Sequence, residues 1–370
     1  MENAEPLVSI LICTYNRSAW LKRAINSVLA QDFIHFELII IDDCSSDDTS
    51  AVVNAYKDER IRYIRNEVNV GSIQGDRAHI RRFIYELMRG QYFIYLCDDD
   101  YWPRSTLLRR QVEAFKTHDN VAMIISGQLH HTTNSENDPL PDLEKIPQVD
   151  YKDLYKPPFP KSNCFIKHLF PKFFMTSEEF LTDFSENPAA RNLIVGATLY
   201  SKRHFTLAEI MSTSAGPKWQ AGYELLMGPA CYGNVIYLDE PDVVVNVQPT
   251  NASFKGTQLE HYKDSILSIK TAFQAPLASE MSEDKKRFLK LIKRETIRNL
   301  TRTFLQNTFS IKLHGKLTLC TERNMSKPVR VIHALREYFL CKIIPKSKDI
   351  KYMCQAALPR QILRMYLNMD

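Results

Sequence analysis

Five segments of strand length, spaced by helix-like stretches, most limit what this chain can fold into. Residues 7–13 read LVSILIC, 36–41 FELIII, 92–97 YFIYLC and 121–126 VAMIIS, with the more polar RIRYIRN at 60–66 among them. Strands that are apolar along their whole length lie in sheets covered on both faces. Strands that alternate with helices pair in parallel. Ser18 reads as the N-cap of a helix that carries Leu21, Ala24, Ile25, Val28 and Leu29 at helical spacing. Further helices are expected over 51–57, 76–89 and 105–117, so the first third of the chain reads as an α/β sheet.

From about 130 to 190 this alternation breaks down into proline, asparagine and aromatic residues (NDPLPDLEKIPQVDYKDLYKPPFPKSN). A structureless loop of that length is unusual unless it has a function, so either such a loop or an inserted subdomain is expected. Order returns at NLIVGATLYSKRHF, at GYELLMGPACYG and at the strands VIYL and VVVNV. After about 256 helices are expected over 258–274, 282–308 and 326–343, with Pro345 and Pro359 as breaks. Three regions follow: 1–130, 131–255 and 256–370.

The composition excludes several classes. No apolar run approaches the roughly 20 residues that cross a bilayer, and MENAEPLVSI lacks the basic and apolar regions of a signal peptide. The eight cysteines include no Cys-x-x-Cys pair, which points away from zinc and from a disulfide framework and toward a reducing cytosol. The net charge of +5 is uneven: residues 281–370 hold 20 Lys and Arg against 7 Asp and Glu. Such asymmetry suggests that the C-terminal region faces something anionic.

Ligands of open α/β sheets bind outside the carboxyl ends of the strands, and polar residues collect there. Thr14, Tyr15, Asn16 and Arg17 follow the first strand, Asp42, Asp43, Ser45 and Ser46 the second, and Asp98, Asp99 and Asp100 the fourth. Adjacent carboxylates repel and raise one another's pKa values, so a positive partner is expected. If the chain stays extended, Asp98 and Asp100 share one side and Asp99 takes the other. Two carboxylates on one side suit Mg²⁺ or Mn²⁺ with substrate phosphates. The plainer readings are a solvated acidic loop at 98–100 and, for Asp42 and Asp43, a helix cap.

Together these segments resemble the family-2 glycosyltransferases, inverting nucleotide-sugar enzymes of the GT-A fold. The resemblance runs through VSILICTYNRSAWLKRAINSVLAQDFIHFELIIIDDCSSDDTS, the NEVNVG turn at 66–71 and YFIYLCDDDYW. It is specific over residues 7–126 and looser to about 254. It implies that Thr14, Asn16 and Arg17 line the nucleotide pocket, that Asp43 or Asp42 reads the base, and that Arg77 lies nearby. Asp98 to Asp100 would hold the ribose and a Mn²⁺ or Mg²⁺ ion. The family pattern Asp-x-Asp-Asp is broken, because Cys97 stands at its first position. The implied catalytic base is Glu224, in GYELLMGPACYGNVIYL. Where the family often has Arg or His, this chain has Val247 and Gln248, ahead of Asn251 and Ser253. The resemblance also implies close approach at Gly196, and Trp219 and Tyr223 either stack on a sugar or pack in the core.

The expected reaction moves a sugar, from a UDP-sugar in the first instance, to a hydroxyl of a glycan or polyisoprenyl-linked acceptor in surface-polysaccharide synthesis. Residues 281–302 interleave Phe288, Leu291, Ile292, Ile297 and Leu300 with cations. They read as an amphipathic helix on an anionic membrane at the inner face of the plasma membrane, or as a packed helix with a solvated basic face. No motif supports nucleic-acid binding. Two rivals remain, a sugar-phosphate nucleotidyltransferase and a catalytically silent sugar-binding protein of the same fold. Against the first, residues 14–30 contain no glycine for a phosphate loop.

Overall fold

The computed structural model describes residues 5–69, 85–133, 141–150, 164–167, 169–186, 188, 195–208, 223–247 and 258–317. Arg77, Trp219, Gln248, Asn251, Ser253 and the helix expected at 326–343 lie outside them, as does most of the helix expected at 76–89. By internal packing the chain divides into two compact units, Met1–Ile297 and Arg298–Asp370. The sheet and the candidate site belong to the first. In the second, residues 298–317 are described, as helix.

The first half follows the α/β alternation: β1 (Val8–Thr14), α1 (Ser18–Leu29), β2 (Phe36–Asp42), α2 (Thr49–Asn54), β3 (Ile61–Arg65), β4 (Tyr92–Tyr95), α3 (Leu107–Phe115) and β5 (Val121–Thr132). β2 is buried along its whole length and β1 at every position but Cys13, as strands covered on both faces must be. α1 buries Leu21, Ala24, Ile25 and Val28, four of the five residues whose spacing marked the helix. α2 begins two residues before its expected start, because the Asp47 carboxylate accepts the Thr49 N–H at 3.0 Å and holds the first turn.

β6 (Gln148–Asp150), β7 (Cys164–Lys167), β8 (Phe174–Met175) and α4 (Ser177–Glu186) come next. The described parts of the insert are therefore ordered, with strands that join the sheet. A short 3₁₀ turn (Val195–Ala197) leads to β9 (Thr198–Ser201), α5 (Lys202–Leu207), α6 (Tyr223–Ala230) and β10 (Asn234–Val247). α7 (Gln258–Ala272), α8 (Gln274–Ala278) and α9 (Glu283–Leu317) end the described chain. The strand order is β3-β2-β1-β4-β9-β5-β10-β8, and β7 pairs with both β5 and β6. β1 to β4 are mutually parallel, whereas β9 enters antiparallel between β4 and β5. Aromatic packing helps fix β9: Phe93 of β4 stacks on Tyr200 with centroids 5.2 Å apart and meets Phe205 edge-on at 4.8 Å.

VIYL and VVVNV, expected as two strands, are one strand, β10, with register shifts around Pro241. Proline donates no ladder bond, so the pairing bulges there. Gly127 of β5 makes room for the bulge: a Cβ on it would lie 2.5 Å from the Glu240 carbonyl oxygen. Beyond the bulge β10 meets Tyr101, whose N–H donates to the Val244 carbonyl at 3.3 Å while the Val244 N–H returns a bond of 2.9 Å. The end of β10 is thereby placed beside the three aspartates.

Candidate active site

The connection after β1 leads to β2 on one side, while β4 lies on the other. The crevice between the carboxyl ends of β1 and β4 is thus a topological switch point, where open α/β sheets bind ligands. Its loops are stitched together by side chains. Asn16 sits in the left-handed region at φ 52°, which asparagine tolerates better than most residues. Its N–H donates to Ser45 Oγ at 2.9 Å and its Oδ1 accepts the Ser46 N–H at 2.7 Å. The Ser18 N–H, at the start of α1, donates to Asp47 at 3.0 Å. This network orients Arg17, the first residue before α1.

Arg17 Nη1 donates to Asp98 Oδ1 at 3.1 Å and to Asp99 Oδ2 at 2.9 Å. Thr14 Oγ1 donates to the other Asp98 oxygen at 2.9 Å. Asp98 and Asp99 therefore turn toward the same cation, not to opposite sides as an extended chain requires. The reason is a turn: the Asp100 N–H donates to the Cys97 carbonyl at 3.1 Å. Asp100 faces β10, where the Asn246 N–H donates to its Oδ1 at 2.9 Å, and the Asn246 side-chain amide donates to the Asp99 carbonyl.

All three aspartates are buried, with 7%, 7% and 5% of their surface exposed. Burial pushes the Asp98 carboxyl up to about 6 against the opposing charge of Arg17. It also raises Asp99, again against Arg17. It raises Asp100 well above the carboxylate range, with the neighbouring Asp99 charge adding to the effect. Ligand atoms of Cys97, Asp99 and Asp100 lie within 4.8 Å of one another. A donor set dominated by buried carboxylate oxygens fits a hard divalent cation, and the cation would relieve the charge that burial disfavours.

Asp42 and Asp43 have separate surroundings. Asp42 is fully buried and accepts the Ser45 N–H at 2.8 Å and the Tyr63 hydroxyl at 2.5 Å, with Arg65 3.9 Å away. It folds the loop after β2. Asp43 is half-exposed. Its N–H donates to the Thr14 carbonyl at 3.0 Å, and its carboxylate accepts from Asn66 at 2.8 Å. Neither bonds the first turn of α2, where Asp47 accepts the Thr49 N–H.

Glu224 stands in the first turn of α6 and is fully buried. Its N–H donates to Ser268 Oγ of α7 at 3.1 Å. Its charge, after burial and with Tyr95, contributes to raising the Tyr200 phenol on β9 above its usual range. The turn before β9 lies against the aspartates: a Cβ on Gly196 would lie 3.6 Å from Asp100 Oδ2. Tyr223 is 1% exposed, donates to the Pro188 carbonyl at 3.2 Å and meets Phe184 edge-on. It is a core residue, which settles its alternative against sugar stacking.

The structure thus brings Thr14, Asn16, Arg17, Asp43 and Asp98–Asp100 to one crevice. Reading the sequence placed Cys97 in the broken aspartate pattern without giving it a role, and missed Tyr63, Asn66 and Asn246 as side-chain partners of these residues. Asn246 carries no local signal, because only the bent β10 delivers it.

The family model Glycosyl transferase family 2 matches residues 9–185. The chain is 28% identical over 280 residues to the GalNAc(5)-diNAcBac-PP-undecaprenol beta-1,3-glucosyltransferase of Campylobacter jejuni, covering 72% of this chain and 84% of that one. It is 35% identical over 111 residues to the UDP-Glc:alpha-D-GlcNAc-diphosphoundecaprenol beta-1,3-glucosyltransferase WfaP of Escherichia coli, covering 30% of this chain and 42% of that one. The crystal structure of Staphylococcus aureus TarS 1–349 with UDP-GlcNAc aligns at a TM-score of 0.47 and 13% identity, over 81% of this chain and 80% of that one. Among curated relatives similar over shorter stretches, such as WfaP, the chain spans less than two thirds of their length.

Proposed function

Because the family model Glycosyl transferase family 2 matches residues 9–185, we propose that the protein is an inverting glycosyltransferase of bacterial surface-polysaccharide synthesis. It moves a sugar from a nucleotide-diphosphate donor, a UDP-sugar in the first instance, to a hydroxyl of a glycan or lipid-linked saccharide. The observation that carries the reading is the meeting of Thr14, Arg17 and the three aspartates at the β1/β4 switch point. The names of the two relatives, both of which specify undecaprenol-linked substrates, support the acceptor class. The WfaP name supports UDP.

In this reading Asp43 and Asn66 face the nucleoside, and Arg17 and Thr14 orient the aspartates. Asp98, Asp99 and Asp100 would hold Mn²⁺ or Mg²⁺. When bound, that ion neutralises charge developing on the departing diphosphate. Glu224 takes the proton of the acceptor hydroxyl as its oxygen attacks the anomeric carbon opposite the leaving group, which inverts the configuration. Gly196, without a side chain, leaves room beside Asp100 for the acceptor. The protein works on the cytoplasmic side, at the inner face of the plasma membrane where a lipid-linked acceptor lies. No helix among the described residues is long and apolar enough to cross a membrane.

The test combines the intact chain with UDP-glucose, Mn²⁺ and a polyprenyl-diphosphate GlcNAc acceptor, followed by a panel of other nucleotide sugars. UDP release that needs the acceptor, and that Glu224→Gln abolishes while UDP still binds, is the expected outcome. Release of pyrophosphate points instead to a nucleotidyltransferase. Sugar-nucleotide binding without any turnover across the panel leaves a silent binding protein.

A further inference from the structure

Two of the three aspartates after β4 already have a cation. Arg17 bonds Asp98 Oδ1 at 3.1 Å and Asp99 Oδ2 at 2.9 Å, and Thr14 takes the remaining Asp98 oxygen. A second arginine, Arg23, also favours the ionised Asp99. Its guanidinium is held between the Trp20 ring, 4.8 Å from the centroid, and the Tyr101 ring at 4.7 Å. Among the described residues no aromatic ring clamps Arg17 in that way, and its side chain is 29% exposed at the mouth of the crevice. Of the two, Arg17 is the one placed to move.

We infer that Arg17 is an ion-pair latch that couples metal binding to nucleotide binding, an inference that rests on reading this crevice as a diphosphate and divalent-cation site. Its guanidinium takes Asp98 Oδ1 and Asp99 Oδ2, two of the carboxylate oxygens open to a metal in this crevice. Two cations sharing those buried oxygens repel strongly, because the surrounding dielectric is low. A diphosphate gives Arg17 another partner, one whose geometry suits its forked donors. When the donor enters, Arg17 turns to the diphosphate and the aspartates become available. The coupling is reciprocal: whatever the nucleotide adds to metal affinity, the metal adds to nucleotide affinity. The free protein would then hold little metal, and the assembled site would form only around a donor.

The latch is tested by titrating Mn²⁺ into the intact chain and into Arg17→Gln, with and without UDP or GDP, following the electron paramagnetic resonance signal of free Mn²⁺. For the unaltered chain, nucleotide should tighten Mn²⁺ binding by about 5- to 150-fold, the usual span of coupling between sites. Arg17→Gln should bind Mn²⁺ alone more tightly than the unaltered chain, and its response to nucleotide should shrink. Equal Mn²⁺ affinity of the two bare chains, with coupling undiminished in the variant, overturns the latch and leaves the metal site standing. No Mn²⁺ binding by either chain, with either nucleotide, overturns both. Circular dichroism reports whether Arg17→Gln folds. If it does not, Arg17→Lys, which keeps the charge and loses the fork, takes its place: unchanged bare-chain affinity and undiminished coupling overturn the latch in the same way.

Discussion

Asp42 and Asp43 are neighbours in sequence and opposites in environment. Asp42 is enclosed with the Ser45 N–H and the Tyr63 hydroxyl as donors, and its removal leaves them unpaired. Asp42→Ala should lower unfolding stability by about 2–3 kcal/mol, read from urea midpoints. Asp43→Ala should leave stability within about 0.5 kcal/mol yet weaken UDP binding by about 1–3 kcal/mol in calorimetry. Equal effects of the two substitutions on both measurements refute the division of roles. Asp242 on β10 offers a test by pH. Burial pushes its carboxyl up to about 6, against the attraction of Arg110. Because the folded-state value is raised, the fold binds the proton more tightly than the unfolded chain does. This group therefore destabilises the fold above about pH 6 and stops doing so as pH falls toward 4. Between pH 7 and pH 5 the unaltered chain should gain stability relative to Asp242→Asn, on the order of 1 kcal/mol. Parallel urea-midpoint curves for the two proteins over that range would show that Asp242 does not titrate there.

At the scale of elements, α9 bears on the two readings of the basic stretch. Leu289, Ile292 and Thr296 are buried at 0%, 4% and 0% exposure, a stripe spaced three and four residues apart. Of the apolar residues expected to enter a lipid surface, Ile292 and Leu300 are spent on protein packing, Phe288 and Ile297 are half-buried and Leu291 stays exposed. Lys285 adds a bond of 3.0 Å to Ser177 of α4. Periodicity marked the helix and its two faces but not which surface its apolar face would meet. Leu289→Ala and Ile292→Ala should each cost about 2–4 kcal/mol. Leu291→Ala, at a position 46% exposed, should fall within about 0.5 kcal/mol. Comparable small effects at all three positions in chemical denaturation would return α9 to the lipid-facing reading.

Along the whole sequence the positive charge gathers late, with 20 Lys and Arg against 7 Asp and Glu from residue 281 onward. With Leu289 and Ile292 of α9 packed away, what α9 offers an anionic membrane is chiefly charge, as at Arg287 and Arg294, whose side chains are 79% and 74% exposed. Adsorption of that kind is electrostatic and screened by salt. The intact chain should float with anionic vesicles at about 0.01 M salt and be released at about 1 M, as the screening length drops from about 30 Å to about 3 Å. Neutral vesicles should not carry it at either salt. Failure to float with anionic vesicles at low salt removes the membrane surface from the list of partners.

The alternation of apolar strands and helices, with its parallel pairing, was readable because β1, β2, α1 and α3 each bury an apolar face of their own. The aspartates and the 14–17 segment were readable as a site because polar residues after buried strands have few structural reasons to be there. Their arrangement was not. Whether Asp98 and Asp99 point apart or together depends on one turn hydrogen bond, and Asp100's partner arrives from residue 246 along a strand bent at Pro241. The antiparallel entry of β9 likewise rests on Phe93, Tyr200 and Phe205, which come together only in the folded core. Local order follows from side-chain periodicity and backbone preference, which a sequence displays directly. The charge balance of the site is set by contacts between residues more than 80 positions apart, and only the tertiary structure brings those together.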